Sequence, residues 1–223
     1  MKIGLIGFGK MGKAAKAAAL EKGHEVTVSL DSSNTDFSPL VEVDVCIDFT
    51  SPDAVWGNIQ KFAPLKKNVI IGTTGWEKDL PKACQLARET PFGLLYAPNF
   101  SIGMYILKKL IDQARTLTEP FEFDVAGVEM HHNQKKDMPS GTAKDLSEIP
   151  FASVRCGKLT GIHQVIFNSE DDTIELIHRA SSRMGFARGA VQVAEWMEGK
   201  TGVYTFDDFM KDTICNSMEL LPR

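Results

Sequence analysis

Between residues 129 and 142 the chain reads Glu-Met-His-His-Asn-Gln-Lys-Lys-Asp-Met-Pro-Ser-Gly-Thr. His131 and His132 can exchange protons near neutral pH. Lys135 can pair with a carboxylate or donate a proton. Ser140, Gly141 and Thr142 stand at an expected helix start, where successive backbone N–H groups can hold an anion. One His or one Lys in a polar loop would be ordinary solvated surface. Two adjacent His, a Lys and an anion-binding turn in so short a stretch point to a site that binds an acid and moves a proton. A metal centre is the weaker reading, and none is expected: adjacent His residues lack the usual ligand spacing, and no Cys or third His lies nearby in sequence.

The elements that must position these groups come next. A strand is expected over residues 121–128, where Phe121, Phe123, Val125 and Gly127 alternate with Glu122, Asp124, Ala126 and Val128, and a short helix over 143–148. At the N-terminus an apolar strand, 2–6, runs into Gly7-Phe-Gly-Lys-Met-Gly12. A helix is expected over 13–22 with Gly23 as its cap, then a strand over 24–30 ending at Asp31. A Gly-x-Gly-x-x-Gly turn between strand and helix, with an acid about 20 residues on, is a dinucleotide-binding pattern. Gly7 permits the tight turn, Gly9 lets backbone approach a pyrophosphate, and Gly12 lets helix and strand pack closely. Asp31 suits the ribose hydroxyls and favours NADH. Lys10, at a helix start where a cation is unfavourable unless an anion sits beside it, suits a phosphate.

Further strands are expected over 43–47, 68–71 and 93–96, with helices over 52–63, 77–89 and 102–117. The three strands end in Asp48-Phe-Thr-Ser-Pro52, Gly72-Thr-Thr-Gly75 and Ala97-Pro-Asn-Phe-Ser101. In a parallel sheet those carboxyl ends line the ligand crevice, so three small or hydroxylated ends together favour a cofactor cleft. After residue 117 the βα alternation breaks down. Strands over 151–155, 162–168 and 173–179 suggest a largely antiparallel sheet in an inserted α+β domain. Ser181-Ser-Arg-Met184 precedes a helix over 186–198, capped by Gly199, that with the tail through 209 returns to the first domain.

The 129–142 stretch resembles the signature of the dihydrodipicolinate reductase family, roughly Glu-x-His-His-x-x-Lys-x-Asp-x-Pro-Ser-Gly-Thr-Ala, with every fixed position met. Lys10-Met11, Asp-Phe-Thr-x-Pro, Gly-Thr-Thr-Gly, Ala-x-Asn-Phe-Ser and Ser-Ser-Arg-Met are similar to the family's motifs as well. The resemblance runs from residue 2 to about residue 210; the last dozen residues have no counterpart. The chain departs in its shorter Gly-rich turn and in trimmed segments at 31–44 and 146–151.

The resemblance implies a Rossmann-like α/β dinucleotide-binding domain, 1–102 with 184–223, and an inserted α+β substrate and oligomerisation domain, 103–183. It implies NADH and/or NADPH held by Gly7, Gly9, Lys10, Met11, Gly12, Asp31, Phe49, Gly72, Thr73, Thr74, Ala97, Pro98, Asn99 and Phe100. It implies hydride transfer to C4 of a cyclic dicarboxylate, with His131 and Lys135 as the acid/base pair and His132, Ser140, Gly141, Thr142 and Arg183 binding substrate. It further implies a homo-oligomer, a tetramer built through the inserted sheet. Two other classes share parts of this pattern: another two-domain NAD(P)-dependent amino or hydroxy acid dehydrogenase, and a dinucleotide sensor without catalysis. Neither requires the whole 129–142 signature.

Bulk properties fit. The 223 residues suffice for one large or two small domains, and a net charge of −4 gives no support for nucleic-acid binding. Four scattered Cys, at 46, 84, 156 and 215, without a Cys-x-x-Cys pair, suit reduced thiols. No leader or membrane-length apolar run is visible, so a cytoplasmic enzyme is expected.

Overall fold

The computed structural model describes residues 1–34, 36–146 and 148–219. The elements follow in the order β1 Lys2–Ile6, α1 Lys10–Glu21, β2 Glu25–Leu30, β3 Val45–Asp48, α2 Pro52–Leu65, β4 Asn68–Ile71, α3 Leu80–Glu89, β5 Gly93–Tyr96 and α4 Ile102–Thr118. Then come β6 Asp124–His131, α5 Gly141–Asp145, β7 Phe151–Arg155, β8 Ile162–Asn168, β9 Thr173–Arg179, α6 Met184–Trp196, β10 Gly202–Thr205 and α7 Phe206–Glu219. The chain divides into two compact units, Met1–Phe100 with Phe186–Arg223, and Ser101–Gly185.

The first unit holds a six-stranded parallel sheet in the order β10-β5-β4-β3-β1-β2. Strands of such sheets are covered on both faces and read as continuous apolar runs. Ile3, Leu5, Val45, Ile47, Ile70, Ile71, Leu94 and Leu95 are accordingly buried. Trp76, Phe62 and Phe92 fill the layer beside them. β10 is a strand that the tail expected over 199–209 did not include. Gly189 of α6 lies so close to Phe100 that a Cβ there would overlap the Phe100 carbonyl. Among the described residues, the trimmed segment at 31–44 holds a 3-10 turn, Ser38–Glu42, and an isolated bridge between Asp31 and Asn34.

Three boundaries shift for identifiable reasons. α1 starts at Lys10 rather than 13, which places Lys10 and Met11 in its first turn. The strand expected over 121–128 is β6, ending at His131, because residues 118–123 are spent turning out of α4: Phe121 N–H donates to Thr118 O and Phe123 N–H to Phe121 O. α5 starts at Gly141 with Ser140 as N-cap, its hydroxyl accepting from Ala143 N–H at 3.2 Å. Residue 147, inside the helix expected there, lies outside the described residues, as do residues 220–223 of the tail.

The second unit is a four-stranded sheet, β7-β6-β8-β9. The sheet is largely antiparallel as expected but mixed, because β6 and β7 are parallel. They are joined through α5, and a helical crossover returns the chain in the same direction. Only β6–β8 and β8–β9 are antiparallel. Met104, Leu107 and Ile111 of α4 pack on Val165, Phe167, Leu146 and Ile149, with Val125, Phe151 and Leu176 at the margin. Ser101 caps α4 by accepting from Met104 N–H at 3.1 Å.

Candidate active site

In the first unit the strand ends are level. Ile6 pairs with Leu30 and Asp48, Asp48 with Ile71, and Ile71 with Tyr96. The next residue of each strand, Gly7, Asp31, Phe49, Gly72 and Ala97, therefore falls in one row along the carboxyl edge of the sheet. Gly7 has φ +86 and its Cβ would overlap the Phe49 carbonyl, so no other residue fits. A Cβ on Gly12 would overlap Gly7 O, which is the close helix–strand approach. Around Gly9 there is open space, and as N-cap it offers no side-chain acceptor to the first N–H groups of α1. The first turn of α1 carries no acid, and Lys10 is exposed with no ion pair among the described residues. This is a cradle for a pyrophosphate at a helix N-terminus, and the residues present fit a dinucleotide.

The rest of the edge is braced from below. Asp48 is fully buried; its carboxylate accepts from Thr50 N–H at 2.8 Å and Asn58 Nδ2 at 2.8 Å. Burial pushes its carboxyl up, against the pull of the Thr50 and Asn58 hydrogen bonds. Asp31 is exposed, and its Oδ1 accepts from Ser33 N–H at 2.8 Å and Ser33 Oγ at 2.6 Å. The Ser33 hydroxyl and N–H hold its carboxyl below the usual range. Thr73 and Phe100 are buried, Thr74 and Pro98 exposed, and Asn99 half-buried.

In the second unit the chemistry lies on one face of the sheet. Ser153, Glu129, His163 and His178 are direct cross-strand partners in successive strands, and His131 pairs with Arg155. Glu129 is fully buried. Its Oε1 accepts from Ser140 N–H at 3.0 Å, Ser153 Oγ at 2.7 Å and Arg155 Nη2 at 3.0 Å. Burial alone would raise this carboxyl; the Ser140, Ser153 and Arg155 bonds outweigh it and hold it at about 2. Glu129 Oε2 faces His131 Nδ1 at 3.4 Å and His163 Nε2 at 3.7 Å. The two rings meet edge to face, 5.2 Å between centroids.

Burial lowers both imidazoles. His163 falls to about 4, with the charge of His131 adding to the effect and Glu129 opposing it. His131 is lowered chiefly by burial, and next raised by Glu129 and lowered by Lys135 and Arg155. Lys135 Nζ sits 2.8 Å from Asp137 Oδ1, and Asp137 Oδ2 accepts from Gly141 N–H at 3.2 Å. One carboxylate thus occupies the ammonium and the turn N–H together. Arg155 braces the loop from below, donating to Lys135 O at 3.3 Å and Asp137 O at 2.6 Å.

Several placements differ from expectation. His131 is a buried strand residue, not a loop residue. Ser140 is 1% exposed; its N–H donates to Glu129 Oε1 and its hydroxyl lies 3.2 Å from His163 Nε2, so it braces the turn rather than facing an anion. Gly141 N–H points outward and is held by Asp137. His132 and Thr142 are half-buried in the same loop and turn, and Arg183 is exposed just before α6.

His163, Arg155, Ser153 and Asn58 were not singled out from sequence, nor was a role for Glu129. The available signal was Glu129 itself, an acid on the buried phase of β6 between Gly127 and His131. Glu129, His131 and His163 each bring one ligand atom within 4.8 Å of the others, a donor set that sequence spacing concealed. Arg155 already neutralises the carboxylate, and Ser140 Oγ lies 3.2 Å from His163 Nε2. Glu129 Oε2, His131 Nδ1 and His163 Nδ1 are buried without a hydrogen-bond partner among the described residues.

A parallel sheet with a glycine-lined turn at a helix start, joined to a second unit bearing a cluster of His, Lys and buried Glu, fits a two-unit dinucleotide-dependent oxidoreductase. Residues 1–100 match the family described as dihydrodipicolinate reductase, N-terminus, and residues 103–210 its C-terminus. The chain belongs to the dihydrodipicolinate reductase family. It is 34% identical to the 4-hydroxy-tetrahydrodipicolinate reductase of Christiangramia forsetii, over 97% of this chain and 100% of that one. It is also 34% identical to the enzyme of that name from Neisseria gonorrhoeae, over 88% and 84%. In fold it is similar to a dipicolinate-bound dihydrodipicolinate reductase from Paenisporosarcina sp. TG-14, with TM-score 0.78, 24% identity, and 92% and 97% of the two chains covered.

Proposed function

We propose that this protein is a 4-hydroxy-tetrahydrodipicolinate reductase, reducing a cyclic unsaturated dicarboxylate to tetrahydrodipicolinate with NADH or NADPH, in lysine (diaminopimelate) biosynthesis. The observation that carries the substrate class is the convergence of Lys135 and the Gly141 N–H on one carboxylate, that of Asp137. A substrate carboxylate takes the place of Asp137 there. His132, Thr142 and Arg183 hold the remainder of the substrate.

The bound dinucleotide supplies a hydride. Gly7, Gly9, Lys10, Met11 and Gly12 hold its phosphates, and Asp31 its ribose. Phe49, Gly72, Thr73, Thr74, Ala97, Pro98, Asn99 and Phe100 line the rest of that edge. His131 and Lys135 manage the proton that must reach the substrate after hydride arrives. His131 delivers it from Nε2, since Nδ1 faces Glu129. Burial makes His131 a stronger acid than a free imidazole, which suits a donor.

The fold of the second unit supports assembly. The sheet face opposite the site carries Val128, Met130, Val154, Ile162, Ile166 and Ile177, none of them fully buried, and covering such a face is what a homotetramer built through this sheet would do. No described helix is long and apolar enough to cross a membrane, and the protein acts in the cytoplasm. The test is loss of absorbance at 340 nm with enzymatically generated substrate and either cofactor, against simple hydroxy acids as controls. Turnover of hydroxy acids alone would move the protein to the broader dehydrogenase class. A monomeric mass by light scattering would remove the tetramer.

A further inference from the structure

We infer that Glu129 is the positioning residue of the proton donor: it holds the proton of neutral His131 on Nδ1, leaves Nε2 to exchange, and locks His131 to the carboxylate-binding turn through Ser140. This rests on the reading of His131 given under Proposed function.

The argument starts from what a buried carboxylate requires. A fully buried acid is costly unless its oxygens are paired. Oε1 of Glu129 is satisfied three times over, by Ser140, Ser153 and Arg155. Oε2 has no hydrogen bond of normal length, and its nearest polar neighbours are the two imidazoles. A carboxylate serving only to brace β6 against β7 would not need an oxygen turned to the rings.

His163 is already committed. It is neutral at working pH, and its Nδ1 is buried without a partner. An orphan donor there is worse than an orphan acceptor, so the proton sits on Nε2 and goes to Ser140 Oγ, 3.2 Å away. Ser140 Oγ also accepts from Ala143 N–H at 3.2 Å. With His163 Nε2–H spent on Ser140, the group left for Oε2 is His131 Nδ1–H. Its 3.4 Å separation is the length expected of a catalytic contact that tightens in the loaded enzyme.

Two consequences follow. The second nitrogen of His131 becomes the one that gains and loses the proton. A Cβ at Gly161 would come within 3.1 Å of that Nε2, so glycine keeps space beside it. Glu129 also grips the N-cap of α5, so the acid and the anion-binding turn share one anchor and keep a fixed spacing. The charged and titratable groups around His131 are Glu129 on its own strand, Arg155 on β7, His163 on β8, and Lys135 and Asp137 in the loop. His178 on β9 stands behind His163.

The decisive measurement is the nitrogen-15 spectrum of histidine-labelled protein. In the wild type, neutral His131 should show the Nδ1–H tautomer. In Glu129→Gln the amide oxygen keeps the three donors of Oε1 and the NH2 group faces His131, which should reverse the tautomer to Nε2–H. With the substrate assay, kcat of this variant should fall roughly 10–100-fold while both KM values stay within about twofold. Its alkaline limb should move to lower pH, because Glu129 raises the pKa of His131. Glu129→Asp keeps the charge and should restore the wild-type tautomer. An Nε2–H tautomer in the wild type overturns the inference, even if Glu129→Gln does not fold. An unchanged kcat and pH limb in a folded Glu129→Gln overturns it too. A wild type without reductase activity removes the functional reading alone, since the nitrogen shifts still decide the tautomer.

Discussion

The two units build their sites in opposite ways. The dinucleotide edge is made of backbone: glycines that permit approach, a helix start, and strand ends brought level by parallel pairing. Its chemistry is spelled out in short contiguous motifs, and each works wherever a strand meets a helix. The second unit builds with buried side chains drawn from β6, β7, β8 and the loop before α5. Its central groups, Glu129, Arg155 and His163, are up to 34 residues apart. A backbone site tolerates change in side chains but not in glycines. A buried polar network depends on every member, because removing one leaves the others unpaired.

Loss of Lys135, which meets the substrate carboxylate and shares the proton with His131, should have the largest effect. Lys135→Ala should lower kcat by about 10²–10⁴-fold and leave NADH binding alone; unchanged kcat would return Lys135 to the solvated loop. Acid should then separate the units. His163 is depressed to about 4, so the unfolded chain takes up its proton first, and stability falls as pH drops from 6.5 toward that value. Glu129 is depressed from 4.5 to about 2; its contribution is present above pH 4.5 and is lost as pH falls through that lower range. Each is worth on the order of 3 kcal/mol. Denaturant unfolding at pH 7, 5 and 4, followed by hydrogen exchange in β6 and β8, should show the second unit weakening first. Equal loss in both units would erase the distinction.

Gly7→Ala probes the other side. Positive φ and a clash with the Phe49 carbonyl should cost roughly 1–3 kcal/mol, read as a lower Tm, and should weaken NADH binding without moving the tautomer of His131. Asp31→Ser should shift the kcat/KM ratio toward NADPH by roughly three- to fivefold, the range of one exposed charge contact. A wild type already strongly selective for NADPH would instead make Lys10 the deciding group. The smallest effect is expected for Asp137→Ala. It frees Lys135 and the Gly141 N–H, so substrate KM should fall by roughly two- to fivefold; a higher KM would show that Asp137 orients Lys135 rather than competing with substrate.

The dinucleotide half was legible because its signals are local. A glycine turn, its spacing to Asp31 and the apolar runs of β1, β3, β4 and β5 are each decided within a few residues by sterics and burial. Periodicity likewise located β4, β5, β7, β8 and β9. It missed β10, whose Gly-Val-Tyr-Thr is too short to stand out until β5 offers a partner. It misplaced β6 because Phe121 and Phe123 look like strand residues but are used to leave α4.

The sequence by itself determined which groups are candidates for the chemistry: His131, Lys135, the Ser-Gly-Thr turn and the glycine turn all sit in contiguous patterns. Only the tertiary structure decided which way those groups face. Ser140 spends its N–H on Glu129 and its hydroxyl on His163 and Ala143, Asp137 occupies Lys135 and Gly141, and His163 arrives from β8 to complete the cluster. The reason is that hydrogen-bond partners across a sheet are set by strand register and direction. The parallel β6–β7 pair opposes Glu129 to Ser153 and the antiparallel β6–β8 pair opposes it to His163, and neither pairing is written in the spacing of the residues along the chain.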